Sequence, residues 1–314
     1  MNFQEFKKKF PSKKAIILHF ANIRHQNGIK CQHCGNGKVY HRKDSPKLFE
    51  CRVCNNSFSI FKDTIFEKSR TDLKKWFYAI HLFLNGKKGI SALQLQRETG
   101  TTYKTAWRML QQIRKAMGND KDDDDDDFMN TVIEIDETYI GGKATNKHMS
   151  ERVAAKGKFK KETVLGMLER NKKLRAFVLE NGARRDDIFA KILENIKDGS
   201  KIITDEHKAY YWLYTRFNHK VVNHSQGQYV NGKGNHTNTI EGFWATLKRG
   251  VYGIYHHVSK QHLQKYVDEF AFRYNNRGNE GMFGECPIPC VNLIFFKFCL
   301  NNFIKNLDFI FTRF

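Results

Sequence analysis

Apolar positions along the chain change period near residue 130, and that change sorts the elements. Before it, Leu73, Trp76, Phe77, Ile80, Leu82 and Phe83 recur near helical spacing, as do Ala106, Met109, Leu110 and Ile113. A helix over 91–98 meets Gly100, and Thr101 or Thr102 caps the helix that follows. Two helices joined by so short a glycine-containing turn fit a helix-turn-helix. Residues 1–27 mix Lys with Phe, Ile and Leu and predict one short helix. After residue 130 the pattern alternates. VIEIDETYIGG predicts a strand over 131–141, followed by strands over 162–169 and 174–180, a helix over 185–196 and a strand over 201–204. A short helix over 208–214, a strand over 220–223 and a helix through HTNTIEGFWATLKR come next. An amphipathic helix within 251–284 closes the domain. Three meandering strands followed by alternating helices and strands predict an α/β fold, a mixed sheet with helices on both faces.

Charge adds a partner to this picture. The 314 residues carry a net charge of +21, which points to a polyanion. Residues 1–118 hold 24 Lys/Arg against 7 Asp/Glu. The second helix of the predicted pair offers Tyr103, Lys104, Arg108, Gln112 and Arg114 on its outer face, suited to phosphates and base edges in a major groove. Residues 119–130, NDKDDDDDDFMN, repel themselves and read as a solvated acidic linker without the fixed geometry a metal site needs. Residues 285–314 form an atypical apolar tail rich in Phe, Ile and Asn. The chain shows no long uncharged apolar run and no signal peptide, so a cytoplasmic, nucleoid-associated protein with no membrane partner is expected.

Four of the seven cysteines fall as Cys31-x2-Cys34 and Cys51-x2-Cys54, with 16 residues between the pairs. Paired knuckles at this spacing predict a zinc ribbon over 28–62, with a closed, structural zinc. Cys286, Cys290 and Cys299 lie in the apolar tail and read as packing residues.

Three carboxylates on separate elements carry the candidate chemistry. Asp136 lies mid-strand, Asp205 at the carboxyl end of a short buried strand, and Glu241 on a helix 36 residues further on. Oxygen-only ligands of this kind suit magnesium or manganese, and two such ions about 3.5–4 Å apart support phosphodiester chemistry. Glu134 shares a strand face with Asp136, whereas Glu137 and Glu206 are expected to point away. His236, Asn238, Lys248 and Arg249 are further DNA-contacting candidates, and Trp244 reads as core.

The element order resembles the ribonuclease H-like fold of retroviral integrases and DDE transposases. The four cysteines, IDETYIGGK, TDEHKAY, HTNTIEGFWATLKRGVYGIYHHVS and FRYNNR together resemble bacterial insertion-sequence DDE transposases with an amino-terminal zinc ribbon, the ISXO-like group. The resemblance covers roughly residues 15–277. It implies an enzyme that cuts DNA at the terminal inverted repeats of its own element and joins the strands to target DNA. Asp136 would bridge two Mg2+ or Mn2+ ions, with Asp205 and Glu241 each completing one. In part of the group an Asn takes the place of the third acid, and Asn238 lies three residues before Glu241. Holding two ends together implies a homodimer or larger assembly. The domain reading is 1–27 helical, 28–62 ribbon, 63–118 helix-turn-helix, 119–130 linker, 131–284 catalytic and 285–314 tail. Two other readings are a zinc-bearing DNA-binding regulator and a ribonuclease H-like nuclease without strand transfer.

Overall fold

The computed structural model describes residues 3–25, 28–43, 45, 47–62, 64–118, 128–141, 149–150, 161–222 and 235–278. The acidic run 122–127, the tail from 285 onward with its three cysteines, and most of the 225–236 loop lie outside them. The described residues fall into two units, one within 1–120 together with 277–278 and one within 121–276.

In the first unit, α1 (Phe3–Lys9) and α2 (Lys13–Arg24) replace the single expected helix. Pro11 cannot extend α1 and disfavours helix in the residue before it, and Ser12 then accepts from the Ala15 amide as a new N-cap. The segment expected to form a ribbon contains a three-stranded antiparallel sheet of β1 (Val39–His41), β2 (Leu48–Cys51) and β3 (Ser57–Ser59). Three further helices follow: α3 (Leu73–Asn85), α4 (Ala92–Thr99) and α5 (Tyr103–Lys115). Gly100 ends α4 in the left-handed region (φ 58°), where a side chain would be strained, and Thr102 caps α5. Phe20, Phe61, Phe66 and Trp76 interlock in a buried aromatic core. Its edge-on ring pairs add to the apolar burial.

The second unit is a five-stranded sheet in the order β6-β5-β4-β7-β8. Its strands are β4 (Val132–Ile140), β5 (Glu162–Glu169), β6 (Leu174–Leu179), β7 (Lys201–Thr204) and β8 (Asn218–Val221). The first three form an antiparallel meander, and β7 and β8 run parallel to β4. The last strand begins two residues earlier than the sequence suggested, because its register is set by pairing with β7, Lys201 opposite Asn218.

Strand alternation divides the core between the two faces. Ile133, Ile135, Leu165, Met167 and Ile202 pack with α6 (Arg185–Asn195) and a 3-10 helix (Lys208–Thr215). Ile140, Val164, Leu168 and Leu174 pack with α7 (Asn238–Gly250) and α8 (Lys260–Asn275). Between α7 and α8 runs a π-helical turn, Val251–Tyr255. An edge strand exposes backbone groups that invite pairing, and α8 blunts this one with two amide side chains. Gln264 accepts from the Val178 amide and donates to the Ala176 carbonyl. Asn275 likewise accepts from Leu174 N–H and donates to its carbonyl. Among the described residues, no helix is long and apolar enough to cross a membrane.

Candidate active site and cysteine cluster

The site is built on β4. Because Ile133 and Ile135 face α6, the residues between and beyond them, Glu134 and Asp136, face α7. The parallel register pairs Glu134 with Ile203. Asp205 directly follows the end of β7, near enough to Asp136 for its charge to act on that carboxyl.

Asp136 is half-buried, and burial first, then the charges of Glu137 and Asp205, push its carboxyl up to about 7. Two hydrogen bonds oppose this rise: Trp244 Nε1 donates to Asp136 Oδ2 at 2.9 Å, and the Glu137 backbone amide donates to the same carboxylate. Asp205 Oδ1 accepts from the His207 amide at 3.0 Å. Glu241 is exposed in the first turn of α7 and accepts from Thr237 Oγ1 at 3.1 Å. Two half-buried carboxylates that repel each other, with a third available on the facing helix, offer hard oxygen donors and excess negative charge. That donor set fits Mg2+ or Mn2+. The three acids do not converge within 4.8 Å of one another; among the described residues only the four cysteines do.

Sequence reasoning did not find what holds these acids in place. Gly166 lies opposite Asp136 on β5, and a Cβ there would meet Trp244 Cζ2 at 2.6 Å and Ile240 Cδ1 at 2.9 Å. Glycine thus lets α7 settle onto the sheet with its indole over Gly166 and its N–H on Asp136. A lone glycine inside an otherwise apolar strand was the available signal. In the π-helical turn beyond α7, Tyr252 Oη contacts both the amide and the carbonyl of Gly141. Glu137 does point to the opposite face, where Tyr210 Oη donates to it at 2.5 Å and His207 Nδ1 lies 3.7 Å away. Burial, chiefly, raises the Glu137 carboxyl, and burial with the Glu137 charge holds the Tyr210 hydroxyl well above its usual range.

The remaining candidates scatter. Asn238 and Arg249 are exposed and Lys248 is half-buried; Arg249 donates to Thr246 Oγ1. His236 is half-buried, with Nδ1 3.4 Å from Glu134 Oε1. In the first unit, Tyr103 and Lys104 are exposed and Gln112 half-buried on α5. Arg108 instead lies over the Trp76 ring, 5.6 Å from its centroid, and donates to Ser69 Oγ and Thr71 Oγ1. Arg114, also expected outside, is buried against Phe83. The aliphatic stems and planar heads of these arginines pack as core, which charge alone did not reveal.

The sulfurs of Cys31, Cys34, Cys51 and Cys54 all lie within 4.8 Å of one another, with Cys31–Cys54 and Cys34–Cys51 each at 3.6 Å. A tetrahedral zinc with Zn–S of about 2.3 Å would set sulfurs about 3.8 Å apart, so the cluster is compatible with zinc. The amides of His33 and Val53 donate to Cys31 Sγ and Cys51 Sγ, the knuckle pattern that favours thiolates. Amide donation from Cys34 and His33 holds Cys31 down to about 6.

Residues 128–275 match the ISXO2-like transposase domain. The chain is also 28% identical over 280 residues to a Halobacterium salinarum protein described as "Uncharacterized protein in transposable element ISH50". That similarity covers 85% of this chain and 92% of the relative. The two matches support an insertion-sequence transposase.

Proposed function

We propose that this transposase binds the ends of its insertion sequence, cleaves them, and transfers the freed strands to target DNA with divalent-metal assistance at Asp136, Asp205 and Glu241. The observation that carries the reading is a partly buried Asp136 that feels the charge of Asp205: burial first, then the charges of Glu137 and Asp205, push its carboxyl to about 7. A parallel strand pair flanked by an antiparallel meander, with helices on both faces, supports a ribonuclease H-like fold for residues 131–284.

Bound Mg2+ or Mn2+ would supply activation of the attacking oxygen and stabilisation of the leaving one. The chain's own work is to hold the donors. Trp244 fixes Asp136 through its Oδ2. The His207 amide orients Asp205, and the first turn of α7 presents Glu241. In the first reaction water attacks the phosphorus and the 3′ oxygen leaves as a 3′-OH. In the second that 3′-OH attacks a target phosphodiester, so one bond breaks as one forms. The four cysteines would hold a structural zinc. The α4–α5 pair would act as a helix-turn-helix that presents Tyr103, Lys104 and Gln112 to DNA, and two chains would hold paired ends.

Labelled DNA carrying the element's ends, with Mg2+ or Mn2+, tests this. Cleaved and joined products are expected with the wild type and absent with Asp205→Ala and Glu241→Ala. End binding without any cutting by the wild type would exclude the enzyme reading in favour of a DNA-binding regulator. Cutting without joined products would indicate a nuclease.

A further inference from the structure

We infer that Glu134 is a positioning residue for Glu241, a helix cap supplied by the catalytic strand itself; the inference rests on the metal-site reading above. Glu134 and Asp136 project from the same face of β4, two residues apart. Their surroundings differ completely. The Glu134 side chain is 0% exposed, and a carboxylate in such a place is tolerated only when donors converge on it. Five groups do. Its Oε2 accepts from the backbone amides of Thr239 at 3.1 Å and Ile240 at 3.0 Å. Its Oε1 accepts from Thr239 Oγ1 at 3.0 Å and Arg170 Nε at 2.7 Å, with His236 Nδ1 3.4 Å away.

Those two amides belong to the first turn of α7, where no helical carbonyl reaches them. The residue at the N-cap, Thr237, makes no capping hydrogen bond with its side chain and donates to Glu241 instead. A strand residue more than a hundred positions away therefore performs the capping, and its charge suits the positive end of the helix. Arg170 extends the clamp, because its Nη2 also donates to the His236 carbonyl at 2.9 Å.

Glu241 directly follows the captured Ile240 amide. On its other side Trp244 is tied to Asp136. The first turn of α7 is thus held at both ends to one strand, and the tie points on that strand are Glu134 and Asp136. Glu134 is not a further metal ligand, since both of its oxygens are already occupied by donors. Its effect on the metal runs through the placement of Glu241 relative to Asp136.

The test is Mn2+ binding to the zinc-loaded full chain, followed by electron paramagnetic resonance, for wild type, Glu134→Gln, Glu241→Ala and the double variant. A glutamine keeps one acceptor oxygen but turns an NH2 toward Arg170 Nε and Thr239 Oγ1 and carries no charge for the helix end or for Arg170, so it caps poorly. The expected result is about tenfold or greater weakening in Glu134→Gln, within the range for groups that orient ligands. The double variant should lose no more than Glu241→Ala alone, because one residue acts through the other. Ile188→Val, a core deletion on the opposite sheet face, should leave Mn2+ affinity unchanged. Wild-type affinity in Glu134→Gln, or additive losses in the double variant, would overturn the inference while leaving the metal site standing. A wild type that binds no Mn2+ beyond the zinc site would remove both. Should Glu134→Gln fail to fold, hydrogen exchange in the wild type decides: the Thr239 and Ile240 amides are expected to be strongly protected, and free exchange there would overturn the cap.

Discussion

Replacing Asp136 with Asn should stabilise the metal-free protein while abolishing its use of metal. The folded state holds the Asp136 carboxyl at about 7 instead of the ordinary 3.8, through burial and the charges of Glu137 and Asp205. A raised folded-state value means that the folded protein binds the proton more tightly than the unfolded chain. Stability is therefore unaffected below about pH 4, falls as pH rises from there to 7, and stays lowered above it. A rise of about three units corresponds to on the order of 4 kcal/mol at pH 8 and less than half of that at pH 5. Asparagine cannot ionise, and its carbonyl oxygen can still accept from Trp244 Nε1. In buffer free of Mg2+ and Mn2+, with zinc left in place, urea unfolding should show Asp136→Asn exceeding wild type by about 2–4 kcal/mol at pH 8. The difference should shrink by about 2–3 kcal/mol on going to pH 5. Millimolar Mg2+ or Mn2+ should raise the wild type and not the variant, because a ligand stabilises only the state that binds it. A variant less stable than wild type at pH 8, or a difference independent of pH, would refute the claim that Asp136 carries uncompensated charge.

Four further substitutions test the packing. Gly166→Ala places a methyl within 2.6 Å of the Trp244 ring, so α7 must move. We expect a loss of about 1–3 kcal/mol in urea unfolding together with loss of DNA cleavage, and an unchanged unfolding midpoint would contradict the close approach. Cys31→Ala should lose bound zinc by elemental analysis and unfold the β1–β3 sheet, since a module this small draws much of its folding energy from metal; full zinc content in the variant would rule out the four-cysteine site. Lys104→Ala should weaken DNA binding and reduce its salt dependence by about one ion without changing thermal stability. Arg108→Ala should do the reverse, lowering stability through lost contacts with Trp76, Ser69 and Thr71, and a salt slope that falls in Arg108→Ala alone would reverse these assignments.

Local chemistry was enough to read much of this chain. Strand and helix periods marked β4 to β7, α6 and the α4–α5 pair to within a residue or two, because each buries one face and its apolar spacing records which. The paired CxxC spacing pointed to four thiols that the structure gathers within 4.8 Å of one another. The split of residues 1–27 at Pro11 was also local information, present in the sequence but outweighed by the apolar pattern. What sequence could not supply is everything fixed by register and by partners distant along the chain. Glu134 and Asp136 are both acids on one strand face, and only the seating of α7 makes one a buried cap and leaves the other carrying unbalanced charge beside Asp205. Arg108 and Lys104 are both cations on one helix, and only the position of Trp76 turns the first inward. Gly166 has no chemistry of its own; its role comes from the indole of Trp244 lying where a side chain would otherwise be.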